Sequence, residues 1–329
     1  MAQEAVRGER ISVVVPMFNA METLPRTVPA LLRALEGCDD AEVLFVDNGS
    51  VDGSPDFVLG TRDHRVQLLS LPEATVAALR NHGARIATGE YVAFLDSDCV
   101  IPPDYFQRAV EALEATGATA TGCEVRVPED PHWIEKTWHS LHYQGRDRFV
   151  RYINSANFFV DREAFLEVGG FAEDLETDED SEIGNRLVEA GKTLFESTAV
   201  EAIHLGNPKT LRAFYRRALW HGYGMFATMG GRRLDRPMVL LGIHGAATLM
   251  GLATLLLPFA DRLPLWVALA IALLLQLLAP GTAVLYRALQ LRKPVYPIRG
   301  TILYWVYLWA RLRALAGLAL RRRGRYWKS

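Results

Sequence analysis

Short apolar runs alternate with segments of helical periodicity over the first third of the chain. The apolar runs predict buried strands at Ile11–Pro16, Glu42–Asp47, Val66–Ser70 and Tyr91–Asp96. The segments between and after them predict helices over about residues 22–36, 54–61, 74–87 and 104–116. Strands that alternate with helices build a mostly parallel sheet with helices on both faces, so the pattern predicts an α/β fold.

Polar side chains follow these predicted strands at their carboxyl ends. The sequence reads PMFN after the first strand, DNGSVDGS after the second and DSDC after the fourth. In open parallel sheets, ligands bind at the carboxyl ends of the strands. A single acid there is explained by a turn or a helix cap, but polar segments at several strand ends favour a binding site.

Asp96 and Asp98 stand one residue apart at the end of the fourth predicted strand. Two carboxylates at this spacing can both approach a hard cation such as Mg²⁺ or Mn²⁺, which takes oxygen ligands and commonly bridges phosphate groups. An isolated D-x-D motif occurs by chance in many proteins, so this motif alone does not define the chemistry.

The C-terminal part contains two long apolar runs, Met238–Ala260 and Leu263–Tyr286. Each spans the roughly 20 residues that a helix needs to cross a bilayer, and neither has the polar face of an ordinary core helix. The short link DRLP predicts a helical hairpin with both ends on one side. Arginines flank the hairpin at both ends, which by the positive-inside rule makes those ends cytoplasmic. The chain thus divides into a soluble domain, 1–236, and a membrane domain, 237–329.

A third apolar stretch, Thr301–Leu320, contains Arg311 and Arg313 and precedes the basic segment RRRGR. An arginine at the centre of a membrane-spanning helix costs about 2.5–3.5 kcal/mol on insertion scales. We therefore expect an interfacial or re-entrant helix over about residues 301–320, with a third span as the alternative.

Charge is divided between the two parts of the chain. The net charge is −2, but residues 1–236 carry −13 and residues 237–329 carry +11. A basic apolar part suits a membrane surface with anionic lipids. Three cysteines at unrelated spacings form neither a disulfide framework nor a zinc site, and they fit a reducing compartment. The polar start of the sequence lacks a signal-peptide core, so we expect the first domain in the cytoplasm.

Four segments together carry a family resemblance: SVVVPMFN, VLFVDNGSVDGS, ALRNHGARIATGEYVAFLDSDC and VGGFAEDLETDEDSEIGNRLVEAG. In this order and spacing they resemble the family 2 glycosyltransferases, which have the Rossmann-like GT-A fold. The resemblance covers about residues 11–204. It implies transfer of a sugar from a nucleotide-diphosphate donor, with inversion at the anomeric carbon.

At the nucleotide end, the resemblance implies that Pro16, Phe18 and Asp47 line the nucleobase pocket. Phe18 stands where the family often has Tyr, so the ring for stacking is kept and the hydroxyl is lost. Asn48 stands where many members have a second Asp. Only Asp47 is therefore expected to contact the base or ribose from this segment.

Around the sugar and diphosphate, the resemblance implies that Arg80 and Asn81 lie near the donor and that Asn157 lies beneath its sugar. Asp96 would contact the ribose, and Asp98 would contact the diphosphate and its cation. That cation is expected to be Mg²⁺ or Mn²⁺.

The resemblance also implies a catalytic base and a further metal ligand. Asp180 takes the base position in a Glu-Asp pair at the start of a predicted helix, where acids also favour the helix dipole. His204 would reach the metal or the diphosphate, although a lone histidine is more often structural. Between these regions, the aromatic segment 127–152 is either an acceptor wall or a packed helix.

The expected function is a membrane-anchored inverting transferase acting on a hydroxyl of a lipid-linked or cell-envelope glycan. Leu219 replaces the Arg of the Q-x-x-R-W motif of processive synthases, so we favour single addition. The alternatives are a polyprenyl-phosphate glycosyl synthase and a catalytically inactive membrane scaffold or nucleotide sensor. Expected partners are a UDP-, GDP- or dTDP-linked donor, the glycan acceptor and membrane lipid, with no nucleic acid. The expected location is the inner (cytoplasmic) membrane, as a multi-pass protein whose catalytic domain faces the cytoplasm.

Overall fold

The four apolar runs of the N-terminal part form strands, as the sequence predicts. The computed structural model describes residues 10–38, 40–227, 236–260, 262–292 and 295–319. Its strands are β1 (Ile11–Met17), β2 (Glu42–Asp47), β3 (Val66–Ser70), β4 (Tyr91–Leu95), β5 (Cys99–Val100), β6 (Ala120–Gly122), β7 (Arg148–Val150), β8 (Asn157–Asp161), β9 (Leu194–Glu196) and β10 (Ile203–His204).

The four helices predicted for this part also form, each within its predicted limits. The helices are α1 (Leu24–Ala34), α2 (Ser54–Leu59), α3 (Val76–Ile86), α4 (Tyr105–Thr116), α5 (Trp133–His142), α6 (Arg162–Glu167), α7 (Glu179–Glu189), α8 (Leu211–Ala227), α9 (Arg236–Thr254), α10 (Leu265–Leu291) and α11 (Pro297–Ala319). A short 3₁₀ turn, Leu257–Ala260, follows α9.

The main sheet has the strand order β3-β2-β1-β4-β8-β6-β9-β7. Strands β1 to β4 pair in parallel, so their carboxyl ends meet at one edge. Strand β8 runs antiparallel to both β4 and β6. The sheet is therefore mixed. One half consists of the parallel strands β1 to β4, and the other half is built from later segments of the chain.

Alternation along the strands sends side chains to two separate cores. On β1, Val13 and Val15 pack on one face with α1 and α4, while Val14 packs on the other face with α3. Helix α3 lies very close to the sheet, because a Cβ at Gly83 would lie 2.5 Å from Cγ1 of Val14. Glycine at this position lets α3 bring its polar residues near the ends of the strands.

Contacts group the described residues into two compact units. One unit lies within Met1–Pro128 and Gly145–Asn207 and contains the sheets, and the other lies within Glu129–Gln144 and Pro208–Ser329. The second unit thus includes α5, although more than sixty residues separate α5 from the rest of that unit in the sequence. This grouping by contact is a separate matter from the functional division at residue 236, which stays a prediction.

Helix α5 packs against the helices of the C-terminal part. Its Trp138 contacts the rings of Phe214, Tyr304 and Tyr307, with centroids 4.9–5.4 Å apart. Leu141 is fully buried against α10 and α11. Of the two interpretations of this aromatic segment, the packed helix is the one that the structure supports for Trp138.

Two helical segments, Pro237–Phe259 and Leu265–Leu291, are long and apolar enough to cross a membrane. They correspond to the two predicted spans, about residues 238–260 and 263–286. The polar Gln276 of the second segment is satisfied internally, since it donates to Thr248 at 2.9 Å and accepts from the indole of Trp305 at 3.3 Å. Helix α11 forms over the third apolar stretch, and whether it spans or lies at the surface stays a prediction.

Candidate active site

Asp96, Asp98 and His204 form a cluster at the end of β4. One possible ligand atom from each lies within 4.8 Å of the others, and Nε2 of His204 is 3.4 Å from a carboxylate oxygen of Asp98. The two carboxylate side chains are 29% and 24% exposed, whereas His204 is buried. The cluster is therefore open to a ligand on its carboxylate side.

The second sheet explains how His204 reaches the two acids. Strand β5 pairs antiparallel with β10, with His204 opposite Cys99. The backbone N–H of Leu205 also donates to the carbonyl of Asp98 at 2.8 Å. Gly206 then lies so close to the Asp98 carboxylate that a Cβ there would clash with it. Two short strands far apart in sequence thus fix the imidazole beside the D-x-D segment.

Arg80 connects this cluster to the start of α7. Its buried guanidinium donates to Asp96 at 2.6 Å and to Glu179 at 2.7 Å. Burial by itself lowers the pKa of Arg80, but the charges of Asp96 and Glu179 outweigh it and raise the pKa. The Ser155 hydroxyl donates to the same Glu179 oxygen at 2.9 Å. One cation therefore fixes the separation of two carboxylates, one from the end of β4 and the other from the start of α7.

Asp180 follows Glu179 at the start of α7 and is half-buried. Burial and the neighbouring charge of Glu179 raise the pKa of Asp180 to about 7. Its Oδ1 accepts one hydrogen bond, from the backbone N–H of Ser181 at 2.7 Å. A carboxylate with a pKa near neutrality is suited to accept a proton from a hydroxyl and release it again.

Asn81 holds the loop that precedes α7. Its amide exchanges two hydrogen bonds with the backbone of Phe171, both at 2.8 Å, and donates to Glu173 at 2.9 Å. Gly170 has a positive φ of 72°, and a Cβ there would lie 2.5 Å from the Asn81 side-chain oxygen. The GGF segment and Asn81 thus form one structural unit, and donor contact by Asn81 stays a prediction.

The predicted nucleobase residues lie at the ends of β1 and β2. Pro16 is in β1, and Phe18 follows it and is half-buried. The Asp47 carboxylate accepts hydrogen bonds from the backbone N–H groups of Gly49 and Ser50 and from the Ser50 hydroxyl at 2.5 Å. Asp47 therefore shapes its own loop, and its contact with a base or ribose stays a prediction.

Asn157 lies in the core of the first unit and is fully buried. Its amide donates to the carbonyls of Cys123 and Val200, and its oxygen accepts from the Tyr105 hydroxyl at 2.7 Å. These bonds join β8 to the segments after β6 and β9. The polar atoms of Asn157 are already used within the protein, and its predicted position beneath the donor sugar stays untested.

Sequence reasoning missed the roles of Glu179 and Ser155. In the sequence Glu179 is only half of an acidic pair, but in the structure it is the second partner of Arg80. Ser155 lies in a polar segment with no periodicity that distinguishes it. An acid that is buried at a helix start, next to a more exposed acid, is the signal that points to such a bridge.

The match to family models decides the identity. The model described as Glycosyl transferase family 2 matches residues 12–169, and the one described as Glycosyl transferase family group 2 matches residues 91–316. The chain is a family 2 glycosyltransferase. The second match covers more than half of the chain and extends through α5 and both apolar helices of the C-terminal part.

Curated relatives of this glycosyltransferase include proteins of glycan biosynthesis. The chain is 26% identical to glycosyltransferase AglE of Haloferax volcanii over 60% of its own length and 67% of AglE. It is 24% identical to the succinoglycan biosynthesis protein ExoA of Rhizobium meliloti over 68% of its length and 71% of ExoA. Three other curated relatives are matched over 33–56% of their length.

A solved structure confirms the fold. The mannosyltransferase PcManGT of Pyrobaculum calidifontis, in complex with GDP-Man and Mn²⁺, matches with a TM-score of 0.63 at 20% identity. The match covers 96% of this chain and 88% of that one. The predicted GT-A fold, followed by apolar C-terminal helices, is thus correct.

Removing the Arg80 guanidinium tests the bridge. Arg80→Met leaves the buried carboxylate of Glu179 and the partly exposed carboxylate of Asp96 without their shared cation, so we expect a loss of about 3–5 kcal/mol in the free energy of unfolding. The measurement is denaturant unfolding of the full chain in detergent, followed by far-ultraviolet circular dichroism. Arg85→Met is the matched control on the same helix. Its ion pair with Glu173 is half-exposed, so a loss of at most about 1 kcal/mol is expected. Equal losses in the two variants would contradict the bridge.

Proposed function

We propose that the protein transfers a sugar, with inversion, from a nucleotide-diphosphate donor to a hydroxyl of a lipid-linked or cell-envelope glycan. The observation that carries this proposal is the Arg80 bridge. It joins Asp96 of the acidic cluster to Glu179, the residue before Asp180. A site for the leaving diphosphate and a group for deprotonating the acceptor are thereby linked by two ion pairs.

The donor set of the cluster fits a divalent cation. Carboxylate oxygens suit Mg²⁺ and Mn²⁺, and the imidazole of His204 favours the softer Mn²⁺ of the two. We propose that Asp98 and His204 hold this ion, with Asp96 directed to the ribose by its bond to Arg80. Such an ion neutralises negative charge on a leaving diphosphate. The mannosyltransferase of similar fold was solved with GDP-Man and Mn²⁺, which supports this donor class.

Asp180 is proposed to act on the acceptor. In an inverting transfer the acceptor hydroxyl attacks from the face opposite the leaving group, and it must lose its proton as the new bond forms. Asp180 accepts that proton in its ionised form. Arg80 and Ser155 fix the adjacent Glu179, and they thereby fix the start of the helix that carries the base.

The cation proposal predicts a specific loss of metal binding. We expect Asp98→Asn to weaken the binding of Mn²⁺ by at least about tenfold and to abolish metal-dependent hydrolysis of UDP-, GDP- or dTDP-sugars. Calorimetric titration with Mn²⁺ alone measures the first effect. Asp104→Asn is the control, because Asp104 is an exposed acid paired with Arg108 on the next helix. Normal Mn²⁺ affinity in Asp98→Asn, or full activity in excess chelator, would contradict the proposal.

The base proposal predicts a fall in turnover without a fall in donor affinity. Asp180→Asn should lower kcat by about 10²–10⁴-fold and leave the donor KM nearly unchanged. The wild-type rate should rise with pH through about 7 and level off above it, since only ionised Asp180 accepts a proton. Asp178→Asn is the matched control: this neighbour has a φ of 70°, which Asn also tolerates.

Two further outcomes bear on Asp180. Its raised pKa means that the folded state loses stability as pH rises from about 4 to 7. Asp180→Asn should therefore unfold at a higher temperature than wild type at pH 8. If Asp180→Asn kept near-normal turnover, the acceptor would be a group that needs no base, such as the phosphate of a polyprenyl lipid.

We also propose that the apolar helices form a hairpin whose two ends face the cytoplasm, in the inner membrane. In a Cys38→Ser background, a cysteine at Arg262 should react with a membrane-impermeant maleimide in intact spheroplasts. A cysteine at Gln290 should react only after permeabilisation. The opposite pattern would reverse the proposed orientation, and release of the protein by carbonate washing would exclude spanning helices.

A further inference from the structure

Arg311 of α11 is a buried cation within the second unit. Arg311 is only 9% exposed, and neither its Nε nor its Nη1 has a hydrogen-bond partner among the described residues. The guanidinium carbon lies 4.8 Å from the centroid of the Tyr307 ring, so the cation rests on an aromatic face. An aromatic face attracts a cation but satisfies none of its N–H donors.

No carboxylate from the neighbouring long helices can balance this charge. Helices α8, α9, α10 and α11 contain no Asp or Glu at all. The one acid in the remaining helix of the unit is Glu135, which caps the start of α5 by accepting from the backbone N–H of His132. No ion pair includes Arg311 in the part of the chain that the structure describes. A buried cation without a counter-ion is unfavourable and is normally paired when the protein functions.

Helix α8 lies close to the Arg311 side chain and contains another arginine, Arg217. A Cβ at Gly222 would lie 3.4 Å from Nη1 of Arg311, so glycine leaves room beside the guanidinium. Desolvation of the ring and the charges of Arg217 and Arg311 together lower the pKa of His221 to about 3. Helix α8 packs against α11 here, since Ala218 and Leu219 lie in one buried cluster with Ala310 and Ala314.

We propose that Arg311 binds the phosphate group of a lipid. A guanidinium presents planar paired donors that match phosphate oxygens, and it tolerates burial better than an ammonium does. The same unit contains both candidate membrane-spanning segments, which makes a lipid the accessible source of phosphate. The phosphate belongs either to a headgroup or to a polyprenyl phosphate. This proposal does not rest on the transferase mechanism.

Wild-type protein gives the first test. The full chain is purified in a phosphate-free detergent with EDTA, which keeps metal-dependent binding at the first unit out of the measurement. Polyprenyl phosphate, phosphatidylglycerol and the uncharged polyprenol are then added separately. We expect both phosphate lipids to raise the unfolding temperature by several degrees and polyprenol to leave it unchanged. A larger shift with polyprenyl phosphate identifies an acceptor-type lipid, and equal shifts identify a headgroup. A shift with polyprenol equal to that with polyprenyl phosphate would overturn the proposal.

The second test uses variants, and the expected change in unfolding temperature is an increase. Without phosphate lipid, Arg311→Gln should unfold at a higher temperature than wild type, because it removes an unbalanced buried charge. It should also reduce the affinity for phosphate lipid at least tenfold, as measured by native mass spectrometry. Arg313→Gln is the control and should respond like wild type, because Arg313 is an exposed arginine two residues further along α11. A lower unfolding temperature for Arg311→Gln, or undiminished lipid binding, would make Arg311 a packing residue only.

Discussion

A single buried guanidinium sets the geometry of the candidate active site. Arg80 lies on α3, and it holds one carboxylate from the end of β4 and another from the start of α7. A buried ion triplet of this kind contributes little net stability, because desolvation offsets much of the attraction. The triplet instead fixes direction, because the planar guanidinium can donate to its two partners in only one arrangement. The proposed donor end and the proposed acceptor end of this glycosyltransferase therefore cannot shift independently.

The environment of Arg80 depends in turn on small and polar residues that carry no charge. Gly83 lets α3 lie against β1, and Asn81 ties the next turn of the same helix to the GGF segment before α7. Ser155 adds a hydroxyl to the same carboxylate that Arg80 binds. The candidate site is thus assembled through α3, which contacts both the parallel half of the sheet and the loop before α7.

The first four strands and the helices between them were predictable because each is a local pattern. Val13 and Val15 face one core and Val14 the other, and β–α alternation is visible in the sequence itself. The position of His204 was suggested only by family resemblance, since it depends on a two-residue pairing with Cys99, about a hundred positions earlier. Asn157 illustrates a different limit. Sequence gives its polarity, but only the fold reveals that Tyr105, Cys123 and Val200 use that polarity inside the core.

Helix α5 has a consequence for biosynthesis. Its His142 bonds to Tyr304, a residue 162 positions later, and its Trp138 packs on rings from α8 and α11. At elongation rates of about 5–20 residues per second, the ribosome needs roughly ten to thirty seconds to supply these partners. During that interval the nascent chain must carry an aromatic segment whose binding surface does not yet exist. Complete packing of Trp138 and His142 therefore waits for translation of α11.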